Sequence, residues 1–270
     1  MWTKTIEKCR RVGALLREAL QRSAGGASAP GSYPPDFSRE DIETIQAVAP
    51  YTMTSAEKIY ALVHAVEYVV RRRIPGAMVE CGVWKGGSMM AVARTLGRLG
   101  ETTRPLYLFD TFEGMPAPEE VDRSYRGESA ASLLKSQDPD TSWVWAKGPL
   151  DTVRDAMSQT SYPAEMTAYV KGKVEDTIPG TAPEAIALLR LDTDWYGSTY
   201  HELVHLYPRL SPGGILILDD YGHWEGAKRA VDQYFAENDI TLLLHRTDYS
   251  GRVAVKPESP ATQSPASGGV

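Results

Sequence analysis

Two apolar runs in this chain each end in paired acids: RLDTDWYGST, Arg190 to Thr199, and ILILDDYGHW, Ile215 to Trp224. Residues just past the carboxyl ends of parallel strands converge on the ligand crevice of an open α/β sheet. There Asp192, Asp194, Asp219 and Asp220 would repel one another unless shared protons or a hard divalent cation compensated them. A metal site is the first expectation. Oxygen donors without cysteines or clustered histidines favour Mg2+ over Zn2+. Simpler roles stay open for the same residues. Asp192 and Asp194 could cap the following helix, and Asp219-Asp220 could form a polar turn. His223 could be a base, a substrate contact or a structural residue. His201 and His205 lie four apart, but no third His or Cys joins them, and they read as an ordinary helix face.

A second constellation is AMVECGVWKGGSMM, which ends a strand, turns through Gly82, Gly86 and Gly87, and opens a helix near Ser88. Such glycines permit a tight turn and close approach of backbone to a ligand. The following strand, YLFD, ends in Asp110, where a carboxylate can accept bonds from both ribose hydroxyls of an adenosine. The G-x-G-x-x-G spacing is absent, which suits a nucleoside without pyrophosphate. Glu80 is then available to a cationic amino-acid portion. S-adenosylmethionine is the cofactor that meets these terms, although the glycines by themselves could serve only the turn.

The elements that must position these groups are legible in the hydrophobic pattern. Helical patterns fall at Ser55–Arg73, Ser88–Arg98, Leu150–Gln159, Ser198–Leu210 and Gly226–Glu237. Strand-like segments fall at Ala77–Cys81, Leu106–Asp110, Thr167–Lys171, Ala185–Asp192 and Gly214–Leu218. Ile240–His245 and Arg252–Val255 would close the sheet as an antiparallel pair. The alternation predicts an α/β fold with a doubly wound, mostly parallel sheet. Residues 1–36 read as an amphipathic helix and a Ser/Pro-rich linker, 37–256 as one domain, and 257–270 as a disordered tail. The polar segment from Thr111 to Trp145 reads as part lid, part substrate wall. Trp143, Trp145 and Tyr162 could line a substrate pocket or pack in the core.

At 270 residues, with net charge -6 and pI about 5.5, the chain offers no general nucleic-acid surface. No apolar stretch is long enough to span a bilayer. Two cysteines cannot build a disulfide framework, which fits a cytoplasmic protein.

VECGVWKGGS, LFDTFEGMP, LLRLDTDWYGST and GGILILDDYGHWEGAKRAVDQYF resemble the macrocin O-methyltransferase (TylF-like) family, and YTMTS at Tyr51–Ser55 matches the region before its cofactor core. The resemblance covers roughly Phe37 to Phe235. It implies a Rossmann-like class I methyltransferase with N-terminal helical additions, using S-adenosylmethionine and Mg2+ on a sugar hydroxyl of a glycosylated natural product or oligosaccharide. It also implies that Asp192, Asp219 and Asp220 hold the metal, with Asp194 in support. Glu80, Gly82, Gly86, Ser88 and Asp110 would contact the cofactor, with Thr52, Met53 and Ser55 lying over it. A homodimer or higher homo-oligomer is expected too.

A sugar hydroxyl is a very weak acid, so the chemistry asks for a cation that binds neighbouring hydroxyls and a base that takes the proton. Asp192 is the first choice of base and His223 the second. A catechol-like phenol would offer the metal two adjacent oxygens as well. A non-catalytic nucleoside-binding protein would have no need of four acids at one rim.

Overall fold

The computed structural model describes residues 33–258. The expected N-terminal amphipathic helix, most of the linker and nearly all of the tail lie outside the described residues. Helix α1 (Arg39–Val48) opens on a capping box: Ser38 Oγ accepts from the Asp41 amide, and Asp41 Oδ2 accepts from the Ser38 amide. Helix α2 (Ala56–Arg71) is capped by Ser55. Then follow β1 (Ala77–Cys81), α3 (Gly87–Arg98), β2 (Leu106–Asp110), α4 (Ala130–Ser136), α5 (Leu150–Ser158) and β3 (Thr167–Lys171). A short α6 (Val174–Thr177) leads to β4 (Ile186–Leu191), α7 (Tyr196–Leu206), β5 (Leu210–Leu218), α8 (Glu225–Glu237), β6 (His245–Arg246) and β7 (Arg252–Val255). No helix among the described residues is long and apolar enough to cross a membrane.

The sheet order is β3-β2-β1-β4-β5-β7-β6, with β7 antiparallel to both neighbours and the rest parallel. The expected terminal antiparallel pair is present. Its first strand is shorter than the pattern suggested, because Ile240–Leu244 makes no ladder. β1 and β4 are buried along their whole length, as central parallel strands must be. Successive residues serve opposite faces. Met78, Leu188 and Ile215 pack under α1, α2 and α3, while Val79, Leu189 and Leu216 pack under α7 and α8. Strand order reverses between β1 and β4, so the crevice of this fold opens at their carboxyl ends.

The Thr111–Trp145 segment is more ordered than its weak periodicity implied. It contains α4 and pairs in short bridges, Arg123 with Ser129 and Ser124 with Trp224. Its anchor is Asp122, a fully buried carboxylate on no recognised motif. Asp122 Oδ1 accepts from the Tyr196 amide at 2.8 Å, so it caps α7, and Oδ2 accepts from the Glu119 amide at 2.7 Å. A Cβ on Gly226 would stand 1.9 Å from Asp122 Oδ1, which explains the glycine there. Trp195 and Trp224, 4.9 Å apart edge to face, pack with Ala130, Leu134 and Val144 beneath the segment. These contacts fix the segment against α7 and the turn after β5.

Asp122→Ala leaves buried amides unpaired and uncaps α7. The expected loss is about 1–3 kcal/mol in urea unfolding, with faster protease cleavage within 117–147. Unchanged cleavage would show that the anchor lies elsewhere.

Candidate active site at the strand switch

The carboxyl ends of the central strands are stitched together by backbone bonds. The Gly82 amide donates to Phe109, the Asp192 amide to Cys81, and the Asp219 amide to Leu191, all at 2.9–3.0 Å. Gly82 (φ 82°) lies so close to β4 that a Cβ would come within 1.9 Å of the Asp192 carbonyl oxygen. This glycine therefore lets the two halves of the crevice touch. Gly86 (φ 91°) begins α3, and a Cβ on Gly87 would meet the Tyr51 carbonyl at 2.6 Å. The Tyr51–Ser55 segment thus lies against the glycine turn. Ser88 is buried in the first turn of α3, and Met53 is exposed. Thr52 Oγ1 accepts from the Thr54 amide, and Ser55, besides capping α2, donates to Asp248.

Asp110 receives backbone amides on both oxygens: Val83 (2.6 Å) and Trp84 (3.0 Å) on Oδ2, Phe112 (2.6 Å) on Oδ1. Trp84 (φ 49°) and Phe112 (φ 54°) are bulky residues in the left-handed region, a strained conformation concentrated at functional sites. The Asp110 carboxylate braces both. Burial still outweighs these bonds and raises its pKa.

The centre of the site is Arg190, 3% exposed inside an otherwise apolar strand. Its Nη1 reaches Glu80 Oε1 at 2.5 Å and Asp192 Oδ2 at 2.7 Å. Its Nη2 reaches Asp219 Oδ1 at 2.5 Å and Thr54 Oγ1 at 3.2 Å. Lys58 from α2 takes the other Asp219 oxygen at 2.5 Å. Burial opposes the charge of Asp219, but Arg190 and Lys58 prevail and bring its pKa down to about 2. Asp219 is therefore fully ion-paired.

The other acids are short of positive charge. One carboxylate oxygen each from Asp192, Asp194 and Asp220 lies within 4.8 Å of the others, a spacing that could hold a metal ion. Burial and then the neighbouring Asp192 push the Asp194 pKa up to about 7, and burial with Asp194 and Asp219 raises that of Asp220 well above the ordinary range. Asp220 Oδ2 is buried without a hydrogen-bond partner among the described residues. An oxygen-only triad with an orphaned buried lone pair fits a hard divalent cation. Of the acids assigned to the metal from sequence, Asp192 and Asp220 fall in this triad, joined by Asp194, while Asp219 falls in the ion-pair network. Neither Asp192 nor Asp194 caps α7, whose first turn is served by Asp122.

Glu80 makes a parallel case for the cofactor. Its Oε1 is held by Arg190, its Oε2 is buried and unpartnered, and burial raises its pKa to about 8 despite that arginine. A cationic amino group at Oε2 would supply the missing charge and bond.

His223 borders the triad through its amide, which donates to the Asp220 carbonyl at 2.9 Å. Burial lowers its pKa, so the ring is neutral at pH 7, and Nδ1 shares a 2.9 Å bond with the Tyr249 hydroxyl. Tyr125, Trp143 and Tyr249, each about half exposed, ring it with centroids 5.6–6.0 Å away. Arg190, Lys58, Asp122 and the Tyr125–Tyr249 pair escaped the sequence reading. The only available signal was an arginine interrupting the apolar run of β4.

The chain matches the family described as macrocin O-methyltransferase (TylF) over residues 30–255. It is 33% identical over 205 residues to the 8-demethyl-8-(2,3-dimethoxy-alpha-L-rhamnosyl)-tetracenomycin-C 4'-O-methyltransferase of Streptomyces olivaceus, covering 74% of each chain. It is 34% identical over 214 residues to the mycinamicin III 3''-O-methyltransferase of Micromonospora griseorubida, covering 79% of this chain and 81% of the relative. The solved O-methyltransferase NovP superposes with a TM-score of 0.67 at 28% identity, covering 77% of this chain and 83% of NovP.

Proposed function

This chain belongs to the macrocin O-methyltransferase family and is an S-adenosylmethionine-dependent O-methyltransferase; from that premise we propose that it methylates a sugar hydroxyl of a glycosylated natural product at a Mg2+-assisted site. The observation that carries the proposal is the triad of Asp192, Asp194 and Asp220 at the strand switch, beside a glycine turn suited to the cofactor. The tetracenomycin relative, whose name includes a rhamnosyl group, supports a sugar acceptor.

Methyl transfer from a sulfonium needs an oxygen nucleophile in line with the methyl group, and positioning supplies much of the acceleration. A magnesium ion held by Asp192, Asp194 and Asp220 would supply Lewis acidity that lowers the pKa of a bound hydroxyl. Asp194, as a ligand of that ion, would be ionised when the ion is bound, and the neutral ring of His223 is the base that takes the proton of the hydroxyl. Asp192 has one oxygen committed to Arg190 and serves to orient. His223, neutral and with Nε2 unpartnered, hydrogen-bonds the acceptor. The exposed faces of Tyr125, Trp143 and Tyr249 pack on its apolar side. Glu80 Oε2 takes the amino group of the cofactor.

Asp194→Asn is expected to lower kcat by about 10²-fold or more while S-adenosylhomocysteine binding, read by calorimetry without added Mg2+, stays unchanged. Retained kcat would remove Asp194 from the cation site. Vicinal-diol glycosides should be turned over and simple catechols should not; the reverse result would make this a phenol methyltransferase. Trp143→Ala should raise KM for a glycoside by roughly threefold to tenfold with kcat kept.

The pH dependence has a definite sign. The pKa of Asp194 in the fold, about 7, exceeds its ordinary value of 3.8, so the folded protein holds a proton that the unfolded chain releases. Its stabilising contribution is present at low pH and is lost as pH rises through about 4 to about 7. Cation and proton compete for the same oxygens. The rise in Tm produced by MgCl2 should therefore grow between about pH 5.5 and about pH 8. A shift independent of pH would count against this triad as the cation site.

A further inference from the structure

One guanidinium nitrogen serves both halves of the site. Arg190 Nη1 is shared between Glu80 Oε1 and Asp192 Oδ2, and the remaining fork holds Asp219 and Thr54. Arg190, Glu80 and Asp219 are buried, so water does little to compensate a change in the charges around the guanidinium. Glu80 keeps an oxygen, Oε2, that no hydrogen bond among the described residues satisfies, and Asp192 belongs both to this ion pair and to the acid triad. Thr54 belongs to the segment lying against the glycine turn. Nη1 has two N–H groups, one for each acid, so a change of charge or position at one acid alters the attraction that the guanidinium offers the other.

We propose that Arg190 is a positioning residue that couples the cofactor pocket to the acid triad, so that a nucleoside cofactor and a divalent cation each strengthen the binding of the other. The inference rests on the methyltransferase reading and adds a thermodynamic link within it. A cation drawing Asp192 towards Asp194 and Asp220 releases Nη1 to Glu80 alone. Glu80 is then fixed with Oε2 towards the cofactor, and the cofactor pays less to order it. In the opposite direction, an ammonium on Oε2 holds Glu80 on Arg190 and leaves Asp192 free to turn to the cation. Direct repulsion between cation and ammonium opposes this. It is moderated because, among the described residues, the carboxyl groups of Glu80, Asp192, Asp194, Asp219 and Asp220 pair with Arg190 and Lys58 alone, and Lys58 also faces Asp248. Lysine could not take over the role, since a single ammonium lacks the planar fork that bonds several carboxylates in fixed directions.

The test is calorimetric titration of the full chain with S-adenosylhomocysteine, with and without MgCl2, and of MgCl2 with and without S-adenosylhomocysteine. In the wild type the presence of each should tighten the other by about fivefold or more, and linkage requires the two factors to be equal. Arg190→Lys should still bind S-adenosylhomocysteine, with the factor falling towards one. Glu80→Gln keeps the shape but not the charge, and should lower the factor too; it serves if the lysine variant does not fold. Equal S-adenosylhomocysteine affinity with and without Mg2+ in the wild type overturns the inference and leaves the methyltransferase reading standing. A factor unchanged in both variants overturns the assignment to Arg190. A wild type that binds no S-adenosylhomocysteine overturns the methyltransferase reading, and one that binds it but no Mg2+ overturns the cation site; either removes the inference.

Discussion

A buried guanidinium is the constraint on which this site depends. Arg190 sits in a strand whose other side chains are all apolar, and desolvating its charge is tolerable only because Glu80, Asp192 and Asp219 surround it. The dependence is mutual, since those carboxylates could not remain buried at the ends of adjacent strands without a cation between them. Removing one partner from such a cluster typically costs about 3–5 kcal/mol, because the remaining charge is left without compensation. β1, β4 and β5 are therefore tied at their carboxyl ends by charge as well as by the backbone ladder. Lys58 extends the tie to α2, and Thr54 extends it to the segment before α2.

The balance is incomplete in the physical sense that, among the described residues, Arg190 and Lys58 face six carboxyl groups once Asp248 is included. Asp219 receives most of the compensation and stays ionised, whereas Asp194, Asp220 and Glu80 are left with raised pKa values and, for the last two, unpartnered oxygens. The deficit lies where the sheet order reverses, which is where an α/β fold takes its ligands. Protein groups thus provide half of an electrostatic arrangement that a cofactor ammonium and a hard cation would complete. Around it, the wall from Thr111 to Trp145 is fastened by Asp122 and by the Trp195–Trp224 pair, and it brings Tyr125 and Trp143 beside His223.

Much of the frame was legible in the sequence because it rests on local pattern. β1, β2 and β3 fall on the expected residues, and the major helices begin or end within a few residues of their predicted limits. Burial on both faces makes central parallel strands continuous apolar runs, and a serine before a helical pattern is a cap. The weak points were equally physical. β5 begins earlier than predicted because Leu210–Ser211 continues the strand before Pro212 and its glycines. The wall segment hid its order because its bonds run to α7 and to the turn after β5, far away in sequence.

The sequence by itself determined the layered frame, the placement of Glu80, Asp110, Asp192, Asp194, Asp219 and Asp220 at strand ends, and the family. Those are properties of periodicity and of motif, carried by residues close together along the chain. Only the tertiary structure decided how the acids divide their work. Asp219 went to Lys58 and Arg190, Asp194 joined Asp192 and Asp220, and Asp122 relieved the triad of any capping duty. A carboxylate's role is set by which charges and donors face it once water is removed, and those neighbours come from α2, β1, β4 and the wall, which meet only when the sheet has folded.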